Sequence, residues 1–314
     1  GWDMGDIEPE GLPAVKLAPL LSMISKNKLS DEDMVSFQKR NLLNIKSPNP
    51  SVETFLHAFL PHKFVDHTHA DAILDITNRP NSLKLCKKIF GPKVGYVPYI
   101  MPGFLLAKKV FEIYKKNPEV NCLILLNHGI FTFSDSGKEA YDLMIKNVTL
   151  AELAIKKMKS KKIKQIKLSQ SILNPSEVAP VLRGLLTEKD NSFIINYRTN
   201  KDIKYFMNGV DVKKYSHLGT VTPDHVIRIK PYPLIIELTS NDDINTFRVK
   251  AKQAVAKYKS DYITYYKKYS KSKKLTMLDP YPRIIYVTSM GMFSVGNSYN
   301  AALIAGDVAE TNAR

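Results

Sequence analysis

The chain has 314 residues, 44% of them apolar and 24% charged, with a net charge of +16. That length supports a sizeable core, in one large domain or two ordinary ones. No apolar run approaches the roughly eighteen residues of a bilayer-spanning helix. Gly1-Trp2-Asp3 begins no leader pattern, so no membrane partner is expected.

The two cysteines, Cys86 and Cys122, are too few for a disulfide framework and suit a reducing compartment, so a cytoplasmic location is expected. The positive charge raises a nucleic-acid reading, but only 8 of the 46 basic residues are Arg, the residue that makes bidentate phosphate and base contacts. Abundant Lys, Ile, Asn and Tyr also match an AT-rich coding sequence. Nucleic acid is therefore not an expected partner, while small anions gain from the field either way.

In chain order, 15–25 reads as a strand followed by a turn. Ser30-Asp31-Glu32-Asp33 opens a helix, acidic where the helix dipole favours it. After Ser47-Pro48-Asn49-Pro50, the apolar residues Val52, Phe55, Leu56, Phe59 and Leu60 predict an amphipathic helix over 51–60 with Ser51 as its N-cap. A strand is expected over 63–70, a helix over 82–89, a Pro- and Gly-rich connection over 91–103, and a helix over 104–116. A buried strand follows at 121–126. It turns at His128-Gly129 and continues the sheet at 130–133. Ser136-Gly137-Lys138-Glu139 has the capping-box pattern of a helix running to Met158. The Lys-rich stretch 156–167 reads as a solvated helix end or linker. Beyond it, strands are expected at 190–197, 226–238 and 283–289, a long Lys- and Tyr-rich helix at 249–274, then a glycine loop and a helix at 300–311. No internal repeat is visible. Alternating strands and helices predict an α/β fold.

Val65-Asp66-His67-Thr68-His69 carries the strongest chemical signal. On a strand, His67 and His69 project to one side and can share a cation. His128 ends a buried strand before a glycine and supplies a third imidazole. Three protein ligands with one open position is the pattern of catalytic zinc. The plain alternative is strand histidines satisfied by backbone or water. Glu53 lies four residues before His57, off the apolar stripe; the plain reading is an exposed Glu or a Glu–His pair. His57, His62 and His217 read as structural or surface residues, and His225 either faces the active site from the second region or caps a turn formed by Pro223 and Asp224.

Ser51-Val52-Glu53-Thr54-Phe55-Leu56-His57, Val65-Asp66-His67-Thr68-His69 and Asn127-His128-Gly129 followed by Glu139-Ala140 together resemble the class II aldolase/adducin family. The chain is most similar to the aldolase portion of bifunctional rhamnulose-phosphate aldolase/short-chain dehydrogenase proteins, through Pro13-Ala14-Val15-Lys16, Val97-Pro98-Tyr99-Ile100-Met101-Pro102-Gly103, Gly219-Thr220-Val221-Thr222-Pro223-Asp224-His225 and Pro282-Arg283-Ile284-Ile285. The resemblance implies a three-layer α/β/α sandwich with a mainly antiparallel sheet over 1–165. It places a smaller C-terminal α/β extension over 166–314, leading towards a dehydrogenase domain beyond Arg314. It implies His67, His69 and His128 as ligands of Zn2+ or another divalent transition metal, Glu53 as acid/base, Ser51 as a contact to substrate phosphate, and Tyr99 as a proton donor to a neighbouring subunit. A homo-oligomer, often a tetramer, is implied as well. The family's glycine-rich phosphate loop is not visible.

The expected reaction is cleavage of a ketose 1-phosphate to dihydroxyacetone phosphate and an aldehyde. The alternatives are an epimerase, dehydratase or decarboxylase using the same metal, or a non-enzymatic adducin-like binding module. Gly291-Met292-Phe293-Ser294-Val295-Gly296-Asn297-Ser298 has Walker A spacing but lacks its lysine, and the sequon Asn147-Val148-Thr149 lies inside a predicted helix.

Overall fold

The computed structural model describes residue 5 and residues 7–158, 162–166, 173–187, 192–270 and 275–314. The chain divides into two compact units, Gly1–Lys159 and Ser160–Arg314, the second scarcely smaller than the first. The expected linker 156–167 falls partly outside the described residues.

The first unit contains α1 (Leu17–Ser22), α2 (Asp31–Arg40), α3 (Thr54–Phe59), β1 (Phe64–Thr68), α4 (Asp71–Thr77), α5 (Ser82–Phe90), β2 (Val94–Val97), α6 (Phe104–Lys116), β3 (Cys122–Leu125), β4 (Gly129–Ser134) and α7 (Gly137–Lys157). Its sheet has the order β1-β4-β3-β2, antiparallel except for the parallel β2–β3 pair. Alternation along β3 and β4 divides the core. Leu123, Leu125, Phe131 and Phe133 face α3 and α6 with Phe55, Leu56, Leu106 and Val110. Cys122, Ile124 and Ile130 face the other way, towards Ile73 and Ile76 of α4 and Met144 and Ala151 of α7. Two helical layers thus enclose one sheet.

The second unit contains α8 (Pro175–Leu186), β5 (Ile194–Arg198), α9 (Lys201–Met207), α10 (Val212–Tyr215), α11 (His225–Ile229), β6 (Leu234–Ile236), α12 (Ile244–Tyr269), β7 (Ile284–Val287), β8 (Gly291–Gly296) and α13 (Tyr299–Ala313). Its sheet order is β5-β8-β7-β6, with the same directions as in the first unit. Ile285, Val287, Phe293 and Val295 face α8 and α12, while Ile284, Tyr286 and Met292 face α9 and α13. This corrects the reading that no repeat is present: the units share one topology. The match is invisible in the sequence because it is carried by the order of elements and the in–out alternation, both of which tolerate wholesale side-chain exchange.

Other expectations change too. Residues 15–25 are helical apart from a single bridge between Val15 and Leu42. The helix expected at 51–60 begins at Thr54 with Glu53 at its N-cap, because Ser51 instead accepts a hydrogen bond from the Glu53 amide at 3.1 Å and closes a turn. The connection 91–103 contains β2, and the loop after 289 is β8, a fully buried strand. Pro231 and Pro233 split the strand expected over 226–238 into α11 and β6, since proline cannot donate to a ladder.

Candidate metal centre

β1 and the β3–β4 turn position the site. His67 faces Phe131 in register across the β1–β4 ladder, and their rings stack 4.0 Å apart at 11°. Asn127 takes the left-handed conformation at φ 59°, a tolerable one for asparagine, and this turn delivers His128 into the interior at 1% exposure. Gly129 must be glycine: a Cβ there would lie 2.5 Å from the Thr68 carbonyl oxygen, 3.0 Å from the His69 ring and 3.1 Å from the His67 ring. The bare backbone lets the imidazoles close over it.

One ligand atom each from Glu53, His67, His69 and His128 lies within 4.8 Å of all the others. The carbonyl of Ile130 only accepts, so His67 Nδ1 carries the proton and donates at 2.9 Å. That leaves the Nε2 lone pair of His67 facing inward, 3.0 Å from His69 Nε2 and 3.3 Å from Glu53 Oε1. His128 Nε2 donates to the same Glu53 oxygen at 2.7 Å, while its buried Nδ1 has no partner among the described residues. Burial works to raise the pKa of Glu53, but its interactions with His128 and His67 outweigh this and hold the carboxyl well below its ordinary range. The cluster therefore joins one fixed negative charge to three imidazoles whose ring nitrogens converge. Nitrogen and oxygen donors in that number suit zinc and its first-row neighbours, so the residues fit a divalent ion.

Of the other residues singled out by sequence, Ser51 sits next to the cluster through its bond to the Glu53 amide. Tyr99 does not join it within this chain: the side chain is exposed and its hydroxyl contacts the Met101 sulfur. His57 Nδ1 donates to the Val65 carbonyl, His62 pairs with the Tyr114 hydroxyl, and His217 stacks on Tyr232. His225 starts α11 and meets Asn312 at 2.7 Å. Asn147 is buried in α7 and bonds the Leu143 carbonyl, closing the sequon to modification. Sequence reasoning missed Phe131 as the platform for His67, and Asn127, whose amide donates to Asn78. The Asn-His-Gly order was the available signal for the turn.

A carboxylate and three imidazoles converging at the end of an antiparallel strand form a set that can hold a metal ion. Residues 20–155 match the class II aldolase and adducin N-terminal domain family, and residues 174–314 match the second domain of class II aldolases. The chain thus carries class II aldolase/adducin family domains along most of its length. It is 29% identical to the uncharacterized oxidoreductase YuxG of Bacillus subtilis strain 168, an alignment covering 98% of this chain and 45% of that protein. The chain therefore spans about half the length of this relative. It is also similar to the N-terminal class II aldolase domain of a conserved protein from Thermoplasma acidophilum, at 46% identity, covering 49% of this chain and 71% of that one, with a TM-score of 0.46.

Proposed function

We propose that the chain is a class II aldolase that cleaves a ketose 1-phosphate to dihydroxyacetone phosphate and an aldehyde. The observation that carries this reading is the cluster of Glu53 with His67, His69 and His128. Bound there, a divalent cation, preferably zinc, supplies Lewis-acid stabilisation of the negative charge that develops when the carbon–carbon bond beside a ketose carbonyl breaks. The chain's own residues do the rest. The three imidazoles would hold the ion, with His67 fixed by the Ile130 carbonyl and by the Phe131 ring. Glu53, anionic at neutral pH, moves a proton at the hydroxyketone carbon: it accepts that proton in the condensation direction and returns it after cleavage. In this reading Ser51, beside Glu53, binds the phosphate, and Tyr99, which is exposed, serves a neighbouring subunit in a homo-oligomer. YuxG is called an uncharacterized oxidoreductase, and this chain aligns with 45% of its length.

Exchange of the dihydroxyacetone phosphate proton with deuterated solvent tests the reading without the aldehyde partner. The metal-loaded parent should catalyse exchange, and Glu53→Gln should lose about 10²–10⁴ in rate with metal still bound. Equal exchange by both proteins makes Glu53 a bystander. No exchange by the metal-loaded parent points instead to epimerisation, dehydration or decarboxylation on the same site.

A further inference from the structure

Helix α2 carries two fully buried residues one turn apart, Met34 and Gln38. Met34 belongs to the core with Phe55 and Phe59, and the Phe37 ring stacks on that of Phe55 at 6.2 Å, so apolar contacts already fasten α2 to α3. Gln38 adds a primary amide to the same interior. Its Nε2 donates to the Ser51 carbonyl at 3.2 Å, and its buried Oε1 has no partner among the described residues. An unmet buried acceptor is costly, and methionine would fill much the same volume without one. Packing does not account for the amide, which leaves the bond to Ser51 as its use.

That bond falls on the turn that aims Glu53. Glu53 is the N-cap of α3, yet its carboxylate caps no amide of the helix and turns to His128 Nε2 and His67 Nε2 instead. Ser51 takes over the helix start: its carbonyl accepts from the Thr54 amide at 3.1 Å and from the Thr54 hydroxyl at 2.7 Å, while its hydroxyl accepts from the Glu53 amide. A carbonyl oxygen has two lone pairs, and Thr54 already supplies two donors. The third donor, Gln38, is not needed to satisfy that oxygen. It acts as a restraint, tying the turn to a helix position thirteen residues earlier in the chain.

We propose that Gln38 is a positioning residue of the metal centre: by holding the Ser51 carbonyl it fixes the 51–53 turn, and with it the direction of the Glu53 carboxylate. Its effect on rate rests on the aldolase reading, whereas the placement of Glu53 does not. Displacing a reacting group by about 1 Å can cost about 10²-fold in rate, so Gln38 needs no contact with the substrate to matter.

Gln38→Met keeps the volume and removes the bond. With metal bound, its exchange of the dihydroxyacetone phosphate proton should fall by at least about tenfold. In the metal-free protein, the Nε2 proton that His128 donates to Glu53, read by NMR with labelled histidine, should exchange with solvent faster than in the parent. Gln38→Glu supplies the rescue. A fully buried carboxyl stays neutral at about pH 6, and its O–H can donate to the same carbonyl. Both readouts should therefore return towards the parent's at that pH and be lost again as the carboxyl ionises at higher pH. A loss of stability alone would leave both unchanged in the folded protein. Parental values for folded Gln38→Met, or a Gln38→Glu profile that follows the parent's at every pH, overturn the proposal, and either variant decides it if the other does not fold. If the metal-loaded parent itself catalyses no exchange, the aldolase reading fails and the His128 proton still decides the role of Gln38.

Discussion

At the scale of single residues, Gly129 shows how close packing and chemistry meet. The backbone of β4 passes so near Thr68 that any side chain collides with the carbonyl and both imidazoles. Gly129→Ala is expected to cost about 1–3 kcal/mol, the usual penalty of overpacking, and to weaken metal binding at the same time. Urea unfolding and metal titration measure the two effects, and a variant with parental metal affinity would show that the glycine serves the turn alone. His128→Ala removes the most buried of the imidazoles and should abolish tight binding of the ion. Elemental analysis after dialysis checks this, and metal retained at the parental level would dismantle the cluster as a site.

At the scale of elements, helix starts were legible because capping is local. Ser136 accepts the Glu139 amide at the start of α7, and Ser298 accepts the Ala301 amide at the start of α13. Ser136→Ala should cost about 1 kcal/mol in denaturant unfolding, and no measurable loss would mean that α7 is held by its core face alone. Only half of the capping box forms at α7, since the Glu139 carboxylate accepts from the Ser134 hydroxyl instead of reaching the N-cap amide. The short strands were less legible. β2 spans four residues and β6 three, too few positions for a period of two to declare itself, and both exist because β3 and β7 offer open edges to pair with.

At the scale of the whole molecule, the repeated topology predicts the metal stoichiometry. Tyr197 in β5 occupies the place of His67, Thr199 that of His69, and Met290 before Gly291 that of His128. The Tyr197 hydroxyl donates to the Met290 carbonyl, filling the space that the imidazoles use in the first unit. One divalent ion per chain is expected by elemental analysis of the metal-loaded protein; two would break the equivalence. Alkaline stability is also set globally. Burial raises the phenols of Tyr96, Tyr215 and Tyr232 to about 12, and raises Tyr258 and Tyr286 as well. Unfolded tyrosine ionises near 10, so the folded form holds more protons above that pH, and stability present below pH 10 is lost as pH rises towards 12. Lys230 acts in the opposite direction, because burial lowers it to about 8 and stability gained from its deprotonation accrues up to about 10.5. Five groups against one decide the sign. Tm should fall from pH 10 upward, and a flat profile to pH 11.5 would contradict this.

What the sequence determined by itself was whatever depends on near neighbours. Serines before acidic turns marked helix starts, the unbroken apolar run in 122–126 marked the central strand, and His-x-His with Asn-His-Gly marked an imidazole set whose spacing already implied a shared cation. Tertiary structure alone decided the rest. Glu53 and His128 are 75 residues apart, and only the packing of α3 beside the sheet brings them to 2.7 Å. The Ile130 carbonyl fixes the His67 tautomer across a ladder that no local pattern encodes. The duplicated topology has the same origin: which backbone pairs with which is settled by long-range contacts, and these leave no period in the chain.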